Sequence, residues 1–276
     1  MNAPGDDIAN SAVNLREPDC AKGTLTCVDL FAGAGGFSLA AKNAGFKVVA
    51  AVEINPWACK TYARNLVDRQ EPALYQCDIS ELKASELKSK HFSNGAVCDV
   101  LLGGPPCQGF SVHRINNSGV DDPRNRLLLR YFEFVRELQP KLFLMENVPG
   151  LLWPRHYDFL SGFYKQATDS GYRVHDALVL DARDYGVPQR RKRVFVLGTR
   201  KDIELDILWP PLPTHCESNL KGEQSNGLAW LDASTVFNKT LPAADENSVH
   251  MNHTDALIEV FRRTPINGGS RRDSGR

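Results

Sequence analysis

The chain has 276 residues, of which 33 are Lys or Arg and 33 are Asp or Glu, so its formal net charge is zero. Apolar residues make up 42% and charged residues 24%, an ordinary globular balance with room for one substantial α/β domain plus a piece of something else. Bulk charge gives no sign of a nucleic-acid partner, and no apolar run approaches membrane-spanning length.

Residues 1–22 are polar and lack an apolar core, so they read as a disordered arm and not as a signal peptide. Seven cysteines lie scattered without CxxC pairs or histidines at metal spacing, which argues against zinc and suits a reducing cytoplasm. The expectation is a soluble intracellular protein with no metal.

From Leu25 to Lys141 short apolar runs alternate with amphipathic stretches, the rhythm of βαβ units around a parallel sheet. A strand over Leu25–Phe31 runs into a glycine-rich turn, Gly33-Ala-Gly-Gly36, and a helix follows. A second strand over Lys47–Val52 carries Glu53 at its tip. Asn55-Pro56 supplies an N-cap and a first-turn proline for a helix to about Leu66. Strand Ala73–Cys77 ends in Asp78, and strand Cys98–Leu102 ends in Gly103-Gly-Pro-Pro-Cys107. A long loop, a helix over Asn125–Leu138 and a strand over Leu142–Met145 lead to Glu146-Asn-Val148. Arg173–Leu180 and Arg193–Gly198 read as two strands whose connection is too short for a crossover helix, so they pair antiparallel. After Arg200 no sustained period is visible. The division expected is an arm (1–22), a catalytic and cofactor-binding domain (23–200), and a linker opening an incomplete target-recognition region (201–276).

Basic residues bunch at Arg124, Arg126 and Arg130, at Arg183 and Arg190–Arg193, and at Arg262, Arg263, Arg271 and Arg272. Such bunches are more often solvated surface than binding sites, so alone they only permit an anionic partner.

In an open parallel sheet, ligands sit at the carboxyl ends of the strands, and here each strand end carries chemistry. The Asp29–Gly36 turn lets a ligand approach backbone N–H groups at a helix start, because glycine has no Cβ. Glu53 can accept bonds from ribose hydroxyls and Asp78 from an adenine amine. Those three suit any adenosine-containing cofactor, including a nicotinamide dinucleotide, and equally describe a tight turn with solvated acids. Cys107 follows Pro105-Pro106, whose fixed φ stiffens the turn presenting it. The other six cysteines read as small buried hydrophobes. A thiol is a few per cent thiolate at neutral pH, so a nucleophilic Cys107 needs positive charge nearby, which the Gln189–Arg193 loop can supply. Glu146 is a candidate proton donor if the fold draws it from water; otherwise it is a capping acid.

Assembled, the chain resembles the cytosine-5 DNA methyltransferase family from about Thr26 to Thr199. Asp29-Leu-Phe-Ala-Gly-Ala-Gly-Gly-Phe-Ser38 is similar to its cofactor block, and Gly104-Pro-Pro-Cys-Gln-Gly-Phe-Ser111 to its nucleophile block. Glu146-Asn-Val148 is similar to its acid block, and Gln189-Arg-Arg-Lys-Arg-Val-Phe195 to its basic block. The resemblance implies a Rossmann-like α/β methyltransferase fold, mostly parallel with an antiparallel pair at the end. It implies S-adenosylmethionine bound by Asp29, Phe31, Gly33, Gly35, Gly36, Glu53, Ile54, Asp78, Ile79, Pro106 and Leu127. Phe31 would pack on the adenine, Glu53 would hold the ribose, and Asp78 with Ile79 would touch the adenine edge. Cys107 would attack C6 of a cytosine flipped from duplex DNA, and Glu146 would bind N3 and the exocyclic amine. Asn147 would brace the nucleophile loop, while Arg191 and Arg193 would face the base and its phosphates. Two departures stand out. Ile54 replaces a residue that is often aromatic, with Trp57 nearby as a substitute. By that resemblance the chain is expected to stop short of most of the family's target-recognition region and of its closing helix, with a second polypeptide as a candidate partner. The rival readings are a tRNA cytosine methyltransferase, a non-catalytic remnant and, more distantly, a dehydrogenase.

Overall fold

The computed structural model describes residues 24–106, 126–204, 206–217, 227–237 and 252–265. The arm over 1–22, the nucleophile candidate Cys107, and Arg124, Arg271 and Arg272 of the basic bunches lie outside the described residues.

The elements run β1 (Thr26–Leu30), α1 (Gly36–Asn43), β2 (Lys47–Glu53), α2 (Pro56–Leu66), β3 (Ala73–Gln76), α3 (Ala84–His91), β4 (Val100–Gly103), α4 (Arg126–Leu138) and β5 (Leu142–Asn147). Then come α5 (Tyr157–Asp169), β6 (Tyr172–Val174), β7 (Leu178–Asp181), a 3-10 turn over Ala182–Tyr185, and β8 (Lys192–Arg200). Short pieces follow: β9 (His215–Cys216), β10 (Leu228–Ala229), α6 (Ser234–Phe237) and α7 (Asp255–Arg262).

The main sheet has the order β3-β2-β1-β4-β5-β8-β6, with β7 also on β8. The first five strands pair parallel, and β8 pairs antiparallel with β5, β6 and β7. Chain order reverses between β1 and β4, which opens a crevice at their carboxyl ends, where doubly wound sheets take their ligands. The expected single strand over Arg173–Leu180 is broken in two. Tyr172–Val174 pairs with one end of β8 and Leu178–Asp181 with the other, so both lie along the same edge. The helix α5, which sequence reading left unassigned, carries the chain from β5 to that edge.

The strands alternate their side chains between two cores because the pleat has period two. Val28, Leu30, Ala50, Val52, Leu101, Phe143 and Met145 pack with α3, α4 and α5. Cys27, Val48, Leu102 and Ala51 pack on the opposite face with α1 and α2. Phe143 is the hub of the larger core, with Tyr172 at 5.2 Å, Phe163 at 6.1 Å and Tyr131 at 6.4 Å between ring centroids, all edge-on. Each such buried ring contributes about 1.5–3 kcal/mol of transfer free energy. The buried Tyr131 hydroxyl donates to the Leu101 carbonyl and lies 3.3 Å from that of Leu144, so it is not stranded.

Local signals explain the helix starts. Asn55 Oδ1 accepts from the N–H groups of Trp57 and Ala58 at 2.9 and 3.1 Å, with Pro56 at the first position. Gly35 precedes α1 at φ 99°, and a Cβ there would stand 2.2 Å from Leu66 Cδ1. Only glycine lets the turn close onto α2. Among the described residues no helix is long and apolar enough to cross a membrane, and no group of His, Cys, Asp and Glu is arranged to hold a metal ion.

Candidate active site

Two cavities open at the crevice and meet at Phe31 and Gly104. The smaller, about 350 Å³, lies over the tips of β1, β2, β3 and β4, and its walls include Phe31, Glu53, Ile54, Asp78, Ile79, Pro106 and Leu127. These come from strand ends, turns and the start of α4, separated by up to 96 residues. The fold brings them together because parallel strands deliver every carboxyl end to one side of the sheet.

Glu53 closes this cavity's floor. Its Oε2 accepts from Gly33 N at 2.8 Å and its Oε1 from Asn55 N at 2.7 Å, so one carboxylate ties the glycine turn to the entry of α2. Asp78 Oδ1 accepts from Ser80 N at 2.8 Å, which fixes the β3 turn. Ile79 is buried, and its carbonyl accepts from Arg130 Nε at 3.0 Å. The same guanidinium donates to Leu82 O and pairs with Glu133, so Arg130 of the first basic bunch points inward as a buttress. Ile54 is 60% exposed, and Trp57 stands out in solvent with Lys60 Nζ 4.6 Å from its ring. Phe31 holds φ 58°, a left-handed conformation costly for a bulky residue, and its ring borders both cavities.

The glycine turn divides its labour. Gly33 serves Glu53, Gly35 permits contact with α2, and Gly36 borders the larger cavity. Asp29 departs from the expected cofactor contact. Its side chain is fully buried on the α1 side and borders neither cavity. Its Oδ2 accepts from Ser38 Oγ at 2.6 Å, and Ser38 Oγ accepts from Tyr62 Oη at 2.8 Å. Burial, only partly offset by the Ser38 bond, pushes the carboxyl up to about 6. Among the described residues its buried Oδ1 has no hydrogen-bond partner. Register sets this direction: Asp29 sits between Val28 and Leu30, which face the other core.

The larger cavity, about 550 Å³, includes Glu146, Arg191, Arg193, Phe37, Tyr185 and Pro211 in its walls. Arg193 Nε lies 2.8 Å from Glu146 Oε1, and Arg191 Nη2 lies 3.6 Å from the same oxygen. The pairing follows from the β5–β8 register, in which Glu146 stands opposite Phe195. Sequence reasoning offered the basic loop to Cys107 and to the base; the described contact is with Glu146. The buried Asn147 donates from Nδ2 to Pro105 O at 3.3 Å and accepts at Oδ1 from Val148 N at 2.8 Å. It thus holds the Gly103–Pro106 turn from beneath. Cys107 is the residue after that turn.

Sequence reading missed Tyr185, Val187 and Pro211. The signal for the first two was the Asp184-Tyr-Gly-Val-Pro188 run just ahead of the basic block, a turn between two paired strands. Pro211 had none, since its place depends on how the chain folds back after β8. Chemically, the arrangement offers an apolar cleft with two carboxylates for a nucleoside-sized ligand. Beside it lies a pocket with a paired carboxylate and guanidinium for a planar polar group.

Known proteins resemble this chain in sequence and in fold. The sequence model of a family described as C-5 cytosine-specific DNA methylase matches residues 25–272. The Type II methyltransferase M1.HphI of Haemophilus parahaemolyticus is 37% identical over 254 residues, which are 91% of this chain and 63% of that protein. M.XorII of Xanthomonas oryzae pv. oryzae is 40% identical over 191 residues, 69% of this chain and 42% of that protein. A crystal structure of an E. coli prophage-encoded protein, described as a DNA modification methyltransferase, superposes with a TM-score of 0.58 at 39% identity. The match covers 67% of this chain and 49% of that one. The chain therefore spans only part of the length of these relatives.

Proposed function

The chain belongs to the C-5 cytosine-specific DNA methylase family, and from that membership we propose that it transfers a methyl group from S-adenosylmethionine to C5 of a cytosine flipped out of duplex DNA. The observation that carries the proposal is the junction of the two cavities at Phe31 and Gly104. Glu53 and Asp78 stand on one side of it and Glu146 on the other. A base in one cavity and a methyl donor in the other would meet there.

The smaller cavity fits the donor. Phe31, Ile54, Ile79 and Leu127 provide apolar faces for an adenine, while Glu53 and Asp78 provide acceptors for ribose hydroxyls and the adenine amine. When bound, S-adenosylmethionine supplies an electrophilic sulfonium methyl. The remaining work falls to the chain's own residues. Arg193 holds Glu146 by Oε1, and Oε2 faces Gly104, where, carrying a proton, it would donate to N3 of cytosine while the exocyclic amine donates to the carboxyl oxygen. Those bonds draw electron density from C6. The Cys107 thiolate adds to C6, the C5–C6 double bond opens, and C5 becomes the nucleophile. After C5 has gained its methyl it loses its proton to base, the Cys107–C6 bond breaks, and the ring is restored. The cytosine must leave the stack because C6 is unreachable within a duplex.

In this reading the catalytic unit is residues 23–200, residues 201–276 open the target-recognition region, and the protein acts in the cytoplasm. The test is methyl transfer to duplex DNA and to tRNA, with covalent capture of 5-fluorocytosine DNA. The wild-type protein, assayed alone and with a polypeptide that carries a target-recognition region of the family, should methylate DNA in preference to tRNA and form the adduct in at least one of the two assays. Cys107→Ala should lose both and keep its affinity for S-adenosylmethionine. Turnover by Cys107→Ala would sink the mechanism, and preference for tRNA would sink the substrate.

A further inference from the structure

By sequence, Arg183 belongs with the basic residues that permit an anionic partner, but in the fold its guanidinium is turned inward. Nη2 donates to Asp181 Oδ2 at 2.8 Å, and Nε lies 3.3 Å from both oxygens of the same carboxylate. The ring of Trp230 lies 3.8 Å from Arg183 Cζ, covering the guanidinium face. The Arg183 hydrogen bond holds the Asp181 carboxyl below its usual range, so that charge is neutralised on the spot. A guanidinium held between a carboxylate and an indole has little left to offer a phosphate.

The turn that carries Arg183 is fastened to distant segments at several points. Trp230 Nε1 donates to Asp184 Oδ1 at 2.9 Å, and Thr214 N donates to the Asp184 carbonyl at 2.8 Å. Tyr185 Oη donates to Pro211 O at 3.0 Å. A Cβ on Gly186 would stand 2.7 Å from the His215 ring, so the two are in close contact. Ala182, Tyr185 and Val187 of this turn, together with Pro211 of the fastened segment, form part of the wall of the larger cavity, which Phe31 and Phe37 also line.

We propose that Arg183, Trp230 and Asp184 form a clamp that sets the position of this wall, and hence the width of the target-base pocket. They act as positioning residues for methyl transfer and do not contact DNA phosphates. The pocket's role rests on the function proposed above; the clamp itself rests on the contacts. Without it, the turn is tied to the sheet chiefly through β7, and the wall can move away from Glu146.

The experiment compares Arg183→Ala, Trp230→Ala, their combination, and Trp230→Phe in the full 276-residue chain. Hydrogen exchange, cofactor affinity, the salt dependence of duplex binding and steady-state kinetics are measured on each. Either alanine variant should speed exchange in both 182–187 and 209–217 by roughly three- to tenfold, from the loss of one partly exposed cation–π contact and its neighbouring hydrogen bonds. The combination should do no more than the worse single variant. Trp230→Phe, which keeps a ring over the guanidinium but cannot donate to Asp184, should recover only the part of the protection that the ring contact supplies. Turnover should fall while KM for S-adenosylmethionine and the slope of log affinity against log salt stay unchanged. A slope reduced by about 1 in Arg183→Ala alone would make Arg183 a phosphate contact and overturn the proposal. So would exchange that rises in 182–187 but not in 209–217. If the wild-type chain transfers no methyl to DNA either alone or with a polypeptide that carries a target-recognition region, the proposed function falls, and exchange still decides the clamp.

Discussion

Arg193 Nε lies 2.8 Å from Glu146 Oε1, joining the start of β8 to the tip of β5 across the floor of the larger cavity. Arg191 approaches the same oxygen at 3.6 Å, so both cations gather on one side of the carboxylate. The other oxygen faces Gly104, where a Cβ would stand 3.4 Å away. The ion pair therefore orients the acid as well as neutralising it.

Glu146→Gln keeps the shape of that group and removes its charge. Loss of the acid and of its hold on Arg193 should slow methyl transfer by roughly a hundredfold or more, the usual contribution of a positioned acid or base. Affinity for S-adenosylmethionine should change less than about twofold, since Glu146 borders only the larger cavity. Single-turnover transfer and calorimetry separate the two. Equal loss of both would mean that the cavities are not independent.

Glu53 accepts two backbone N–H bonds from two turns that flank the smaller cavity. Bonds to a charged acceptor contribute about 1.5–3 kcal/mol, so Glu53→Ala should weaken S-adenosylmethionine by about ten- to a hundredfold. Glu53→Gln retains one acceptor and should fall between wild type and alanine. Calorimetry that ranked glutamine with alanine would show that charge, not the turn geometry, holds the ligand.

The buried Asp29 makes stability depend on pH. Its carboxyl is pushed up to about 6 in the fold, chiefly by burial, against 3.8 in an exposed chain. Between those values the folded state keeps a proton that the unfolded state has lost. The associated stability is full below about pH 4 and is lost as pH rises through about 6, an effect of roughly 3 kcal/mol. Asp29→Asn is neutral throughout and should not lose stability across that window. Urea titrations of both proteins at pH 4 to 7 measure it; parallel profiles would show that Asp29 is not the responsible group.

Neighbouring glycines at the β4 tip should respond differently to alanine. At Gly103 a Cβ would stand 2.5 Å from Tyr131 Cε2 and 3.1 Å from the Leu30 carbonyl, inside the core. Overpacking of that kind costs about 1–3 kcal/mol, so Gly103→Ala should lower Tm by several degrees. At Gly104 the nearest atom is Glu146 Oε2 at 3.4 Å, so Gly104→Ala should fold normally. It should still slow transfer, because the added methyl stands where the cavities join. Unimpaired transfer by Gly104→Ala would place the reacting carbon elsewhere.

The sequence by itself determined the parallel strands β1–β5, the glycine turn, the Asn55 cap and the antiparallel return of β8. Each rests on a local signal: short apolar runs alternating with amphipathic stretches, a proline or glycine at a set offset, or a connection too short for a crossover. It also put Glu53, Asp78 and Glu146 at strand tips, and a parallel sheet carries all tips to one end. Only the tertiary structure decided which tips share a cavity and where each side chain points. Asp29 lies within the glycine block by sequence, yet the pleat turns it onto Ser38 and away from both cavities. Arg193 meets Glu146 because the β5–β8 register sets their strands side by side, across 47 positions of chain. Arg183 and Trp230 meet across another 47, through a fold-back that has no sequence period. Local patterns specify the face a residue presents; the partner it meets there depends on register and closure between distant segments, which are settled only when the whole sheet packs.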